Sequence, residues 1–172
     1  IDQGLHDLLK EEQSPLVLAG VEYLFPLYKD ANTYPHLVDK GITGNPEELS
    51  AKELHEEAWE ILEPVFLKEQ KEAAEQYKKM SGSERTSNEI KTVVPASYYG
   101  RVDLLFVAVG AQKWGTFDTD ANEVYLHQEA EPGDEDLLDL AAIHTLSNGG
   151  NVYAMEPDKV PDGSLIAAVF RY

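Results

Sequence analysis

The sequence predicts an α/β protein, a three-layer α-β-α sandwich on a mixed sheet, and three observations carry the prediction. Leu104-Leu105-Phe106-Val107-Ala108-Val109 is a continuous apolar run, the mark of a central strand covered on both faces. Helical segments flank it, one over 88–99 and one through Leu137, Leu138, Leu140, Ala141 and His144. Two further extended segments follow, Val152 to Met155 and Leu165 to Tyr172. From Asn88 the order is helix, strand, hairpin, helix, strand, loop, strand, which gives a mixed sheet with helices on both faces.

Taken in order, Asp2 to Glu12 sets Leu5, Leu8 and Leu9 at helical spacing, and Ser14-Pro15 breaks it. Leu16-Val17-Leu18-Ala19-Gly20 reads as a short buried strand. A helix follows within Val21 to Ala31, starting near Pro26, whose fixed φ suits a first turn. Leu37 to Thr43 reads as extended, and Gly44-Asn45-Pro46 as a loop. Ser50 and Glu53 form a capping box at the head of a long helix, with Leu54, Ala58, Ile61, Leu62, Val65 and Phe66 on one face. Pro64 is expected to kink or divide that helix. Met80 to Ser87 reads as a flexible connector. Gly100 ends the helix within 88–99. Trp114-Gly115-Thr116-Phe117 and Val124-Tyr125-Leu126-His127 alternate about the turn formers Asp118 to Asn122, as an exposed hairpin does. Pro132-Gly133 makes a turn, Asp134, Glu135 and Asp136 head the last helix, and Asn148-Gly149-Gly150 ends it.

The 172 residues can bury one good core or two small ones. Fourteen basic residues against 32 acidic give a net charge of −18, which opposes non-specific binding to a phosphate backbone or an anionic membrane. Nucleic-acid contact, if made, has to be local. With no cysteine the chain has neither disulfides nor thiolate metal sites, which fits a reducing compartment, so a cytoplasmic location is expected. No run reaches the roughly 20 apolar residues of a membrane span. A chain opening at Ile1 reads as a fragment.

The candidate sites are few. Glu129, Glu131, Asp134, Glu135 and Asp136 could offer oxygen ligands to a divalent cation, but their spacing is irregular and no histidine stands near, so capping and solvation are expected. His6, His36, His55, His127 and His144 lie on different elements without metal-ligand spacing. Ser97, Ser147 and Ser164 lack the Gly-x-Ser-x-Gly setting of a nucleophile. No catalytic residue, metal or cofactor is expected. The loop after the central strand, Gly110-Ala111-Gln112-Lys113-Trp114-Gly115, stands where open α/β sheets gather ligands. Gln112, Lys113 and Trp114 are thus the candidate partner-binding residues, with packing of Trp114 on its own sheet as the competing expectation.

Thr86-Ser87-Asn88-Glu89-Ile90-Lys91 resembles the Asn-Glu-x-x-Lys signature of ribosomal proteins that bind kink-turn RNA, with the lysine one residue early. Asn88 and Lys91 are the candidate RNA contacts, against an adverse net charge. More broadly, Pro15-Leu16-Val17-Leu18-Ala19-Gly20, Leu37-Val38-Asp39, the Glu-rich helix, Gly100-Arg101-Val102-Asp103-Leu104-Leu105-Phe106-Val107 and the closing Ala167-Ala168-Val169-Phe170-Arg171-Tyr172 resemble the bacterial archaeo-eukaryotic release factor family. Its members are relatives of pelota and of the eukaryotic and archaeal class I release factor. The resemblance implies that residues 1–46 are the tail of a ribonuclease H-like α/β domain. Residues 47–172 are then a C-terminal domain with the fold of the kink-turn-binding ribosomal proteins. It implies a docking role toward a translational GTPase or a recycling ATPase and the ribosome. The Gly-Gly-Gln hydrolysis loop of the termination factors has no counterpart here, since Asn148-Gly149-Gly150-Asn151 is a helix end in the wrong domain. Hydrolysis of peptidyl-tRNA by groups outside these residues, and a kink-turn RNA module, are the alternatives.

Overall fold

A computed structural model describes residues 2–10 and 13–172. The chain divides into two compact units, Ile1–Glu69 and Gln70–Tyr172. The first opens with α1 (Asp2–Leu9), β1 (Ala19–Gly20), α2 (Leu24–Ala31) and β2 (Ile42–Thr43). β1 and β2 are parallel, with Ala19 opposite Ile42 and Gly20 opposite Thr43, so α2 is the crossover of a βαβ unit. Pro26 sits in the first turn of α2, where its missing amide leaves no bond unmade. The buried strand expected from Leu16 to Gly20 is shorter and more open. Only its last two residues pair as a strand, Leu16 adds one bridge to Leu37, and Ala19 is exposed. Ties between segments carry much of the order. The Asp2 carboxylate accepts from the Thr33 amide and hydroxyl, both at 3.0 Å, which holds its pKa below the ordinary carboxylate value. The Tyr34 hydroxyl donates to Ser14 O at 2.6 Å.

After a 3-10 turn at Pro46–Glu48 comes α3 (Ala51–Met80), which begins in the first unit and ends in the second. Its head is the expected capping box. Ser50 Oγ accepts from the Glu53 amide at 3.3 Å, and Glu53 Oε2 accepts from the Ser50 hydroxyl and amide at 2.7 and 2.8 Å. The hydroxyl, and then the amide, lower the Glu53 pKa. Pro64 does not divide the helix. A proline removes one hydrogen bond from the ladder, and a helix of 30 residues keeps enough of them to run through. Leu54, Ala58, Ile61 and Leu62 are half-buried, whereas Val65 and Phe66 of the same predicted face are exposed.

The second unit holds the sandwich. Its elements are β3 (Thr86–Ser87), α4 (Ile90–Tyr98), β4 (Val102–Ala108), β5 (Trp114–Asp118), β6 (Glu123–Leu126), β7 (Glu135–Asp136), α5 (Leu137–Ser147), β8 (Asn151–Met155) and β9 (Ile166–Phe170). The main sheet runs β3-β9-β4-β8, with β8 parallel to β4 and β9 antiparallel to it. β9 is buried throughout and alternates cleanly. Ile166, Ala168 and Phe170 join the core with Val93, Val94, Leu137 and Ala141 of α4 and α5. Ala167 and Val169 face the opposite core, with Ala73 and Tyr77 of α3. β4 and β9 thus pack against helices on both sides, as their apolar runs require. β4 carries a bulge: Val102 pairs with Phe170 and Leu104 with Val169, which leaves Asp103 as the extra residue.

Two features were not expected. The connector read from Met80 to Ser87 ends in an edge strand, β3, with Thr86 opposite Val169. The Met80 carbonyl accepts from the hydroxyls of Ser83 (2.6 Å) and Thr86 (3.2 Å), so the turn is bonded rather than loose. The chain's three arginines also meet at one end of the sheet. Arg85 donates to the carbonyls of Phe170 and Arg171, Arg171 to Asn148 O at 2.9 Å, and the Arg101 guanidinium lies over the rings of Phe170 and Tyr172. Both α4 and α5 end there in left-handed glycines, Gly100 and Gly149, whose turns return amides to the last carbonyls. The cations complement the negative ends of the two helices.

Within the second unit, Tyr77 fastens the last turns of α3 to the sheet. The ring is 2% exposed and stands edge-on to Phe106, and its hydroxyl donates to Asp162 Oδ2 at 2.7 Å. Burial first, and then Asp162, push the phenol pKa well above its ordinary value. Asp162 itself is left-handed (φ 59), so this bond helps to hold a backbone that L-residues disfavour. Tyr77→Phe keeps the packing and loses the bond. The expected loss is about 1–2 kcal/mol in urea unfolding, and an unchanged midpoint would refute the role given to the hydroxyl.

Candidate functional site

β4 ends at Ala108, where the backbone is held on both sides: the Ala108 amide donates to Leu165 O at 2.9 Å and the Val109 amide to Met155 O at 2.8 Å. Gly110, at φ 75, turns the chain out of the sheet. Gln112 and Lys113 of the loop that follows are exposed, and Trp114 is half-buried at the start of β5. The loop is pinned by its backbone. Lys113 N–H donates to Asp136 Oδ1 at 3.1 Å, and Lys113 O accepts from the Leu137 amide at 2.8 Å. The same carboxylate oxygen accepts from Leu138 N at 3.1 Å, so Asp136 caps α5 and anchors the loop at once. Two strands flank Trp114. Asp136 of β7 stands opposite it, and the Trp114 carbonyl accepts from the His127 amide, beyond β6, at 2.9 Å.

The acidic cluster divides by role. Asp136 is the cap, Glu129, Glu131 and Glu135 are exposed, and Asp134 has a partner that sequence spacing does not announce. His127 Nδ1 lies 2.9 Å from both oxygens of Asp134, whose side chain is 2% exposed and also accepts from the Glu131 amide at 3.0 Å. Hydrogen bonding to Asp134 raises the His127 pKa against the opposing effect of burial. Burial pushes Asp134 up, but the Glu131 amide and His127 outweigh it and hold the pKa below the ordinary value. The absence of a nearby histidine, argued from the sequence, is therefore corrected. The two residues are seven apart and meet through the turn at Pro132-Gly133, a signal that pairs ends too distant for any helical or strand spacing. Among the described residues no three His, Asp or Glu side chains gather where one cation could bind.

The remaining candidates lie elsewhere. Asn88 and Lys91 are exposed at the start of α4, where the Ser87 hydroxyl accepts from the Glu89 amide at 3.2 Å. Ser97 Oγ is buried on Val94 O, and Ser164 Oγ donates to the carbonyls of Pro161 and Ile166. Both hydroxyls serve the backbone. The His144 ring meets Tyr98 edge-on, in a surface group with Tyr99 and Phe117 that the sequence reading did not pick out.

The C-terminal domain of a peptide chain release factor from Methanosarcina mazei matches 70% of this chain and 92% of its own length, with a TM-score of 0.53 and 18% identity. Ribosome-bound archaeal Pelota, solved with ABCE1, matches 99% of this chain and 47% of its own length at TM-score 0.55 and 16% identity. Archaeoglobus fulgidus Pelota matches 99% and 52%, at 0.43 and 20%. The chain thus spans about half the length of the Pelota chains it matches. No curated protein matches it. The fold is that of the release-factor-like α/β sandwich. The description of bacterial archaeo-eukaryotic release factor family 3 matches residues 1–101, and the chain belongs to that family.

Proposed function

We propose that this chain is a non-catalytic docking region of a release-factor-like, cytoplasmic protein of translation or ribosome rescue, and that Gln112, Lys113 and Trp114 meet its protein partner. In this reading residues 1–46 end a ribonuclease H-like domain and residues 47–172 form the C-terminal domain. The second range is 126 of 172 residues, close to the 70% of the chain that matches the release-factor domain. The observation that carries the docking role is the pinned loop. Lys113 is fixed through its backbone N–H and C=O, while the side chains of Gln112 and Lys113 point to solvent beside a half-buried tryptophan. A rigid exposed loop with an aromatic anchor loses little entropy on binding. The net charge of −18 favours a protein partner over bare RNA. That an archaeal Pelota of the same fold was solved on the ribosome with ABCE1 makes a ribosome-bound ATPase the first partner to try, and a translational GTPase the second.

Co-sedimentation of the protein with ribosomes, with and without each factor, tests the reading. Trp114→Ala and Gln112→Ala together are expected to weaken the complex by about tenfold or more. Unchanged co-sedimentation would remove this surface from consideration. A salt-sensitive shift of kink-turn RNA, lost in Lys91→Ala, would instead favour the RNA contact at Asn88 and Lys91.

A further inference from the structure

We propose that His127 and Asp134 form an ionic latch that positions the Trp114 face, and that the proton on His127 sets how firmly that face is held. The latch stands on geometry alone, and only its consequence for a partner rests on the docking reading above. Asp134 is a carboxylate whose side chain is 2% exposed. Such a group is costly unless paired, and its partner here is the His127 ring at 2.9 Å, a charged partner when both ring nitrogens carry a proton. The bond closes the segment 128–133 into a loop, cinched further by Asp134 N–H to Glu131 O and by Glu131 N–H to Asp134 Oδ2, both 3.0 Å.

The two ends of this loop reach Trp114 from opposite sides. At one end the His127 amide bonds to Trp114 O. At the other, two residues past Asp134, Asp136 pairs with Trp114 across β5 and β7 and holds the Lys113 amide. Opening the latch frees both flanks of the candidate docking residues at once. The charged groups acting on the His127 ring are Asp134 and Glu131, both of the loop. β5 faces it with the uncharged Trp114, and the titratable groups of α4, which packs on β6, are Lys91 and Tyr98.

Loss of the His127 proton leaves a neutral ring donating from Nδ1 to a buried anion, so the bond persists and the charge balance does not. His127 is raised in the folded state, so the latch contributes fully below the unfolded histidine value of about 6.5 and weakens as pH rises through the folded value. Asp134 is lowered, so its share is present above about 4 and fails only as pH falls through its own folded value. The latch is therefore strongest in mildly acidic solution and loosens on the alkaline side.

The experiment is a pH titration of the 172-residue chain by NMR from pH 5.5 to 9, following the His127 ring, the 128–134 amides and the Trp114 indole N–H. The expected result is one shared midpoint above the ordinary histidine value, with lower amide protection in 128–134, relative to the intrinsic exchange rate, above it. Asp134→Asn is expected to bring the His127 midpoint down to the ordinary value or below. His127→Lys keeps a cation in place and is expected to abolish the loop titration while keeping the protection of the loop amides unchanged up to pH 9. Protection, taken relative to the intrinsic exchange rate at each pH, that is flat with pH in the wild type, or a loop that still titrates in His127→Lys, overturns the latch. Ribosome co-sedimentation at pH 6.5 and 8.5 separates the two readings. Binding that weakens with pH in the wild type but not in His127→Lys supports the consequence for docking. Binding that is indifferent to Trp114→Ala ends the docking assignment and leaves the NMR titration to decide the latch.

Discussion

Gly115→Ala is expected to break the three-stranded sheet β6-β5-β7, at a cost of about 3 kcal/mol or more. A Cβ at Gly115 would lie 2.0 Å from Tyr125 O and 3.0 Å from Leu137 Cδ1. The first is a backbone atom of the paired strand and has no rotamer by which to escape. The glycine is buried and doubly paired, with Leu126 on one side and Glu135 on the other, so moving away from β6 presses it on β7 and α5. The expected fall in melting temperature is roughly 10 °C or more. Loss of slow-exchanging amides is expected first in β5 and β6. Gly110→Ala is the contrasting case. Gly110 has open space around it but a left-handed φ of 75, so the strain there is about 1–2 kcal/mol. If the two variants melted together, close packing at Gly115 would not be the reason.

The second large effect is a division of the chain. Among the described residues of the first unit only Tyr34 and Ile42 are buried apolar side chains, while Leu8, Val21, Tyr23, Leu24 and Leu27 are exposed. Its parallel strands are two residues long, and parallel pairs are stable when covered on both faces. The second unit has two filled cores on the two faces of one sheet. A peptide of residues 1–46 is therefore expected to show no cooperative transition by circular dichroism. A fragment of residues 47–172, which retains the Ser50–Glu53 box, is expected to unfold cooperatively with near-native stability. A fragment 47–172 without cooperative unfolding would show that the C-terminal domain proposed here is not an independent one.

What was legible in the sequence follows from how local each signal is. The Ser50–Glu53 box, the glycine stops at Gly100 and Gly149 and the apolar run of β4 are decided within a few residues, and the structure has all of them. β3 and β7 are two residues each and exist because β9 and β5 offer them a partner, so no propensity in Thr86-Ser87 or Glu135-Asp136 announces them. The long helix passes Pro64 because its second half is fixed elsewhere, by Ala73 and Tyr77. In the candidate site, the loop after β4 could be located from the strand before it. The bonds that stiffen it could not, since Asp136 lies 23 residues away in sequence from Lys113, and Asp134 is buried by a histidine beyond a turn.

Asp103 gives the sheet a change of parity. Read by simple alternation, Val102, Leu104 and Phe106 share a side, yet Val102 belongs with Leu105 in the α4–α5 core, and Leu104 with Phe106 in the core of α3. The extra residue counts for nothing in the ladder and returns an odd step to even, while its carboxylate turns toward Arg171, 3.9 Å away. Upstream and downstream of it the strand obeys opposite rules for inside and outside. Deletion of Asp103 would therefore leave Val102 and Leu105 two apart and still on one face, where a deletion two positions later would set the residues before it and after it out of phase.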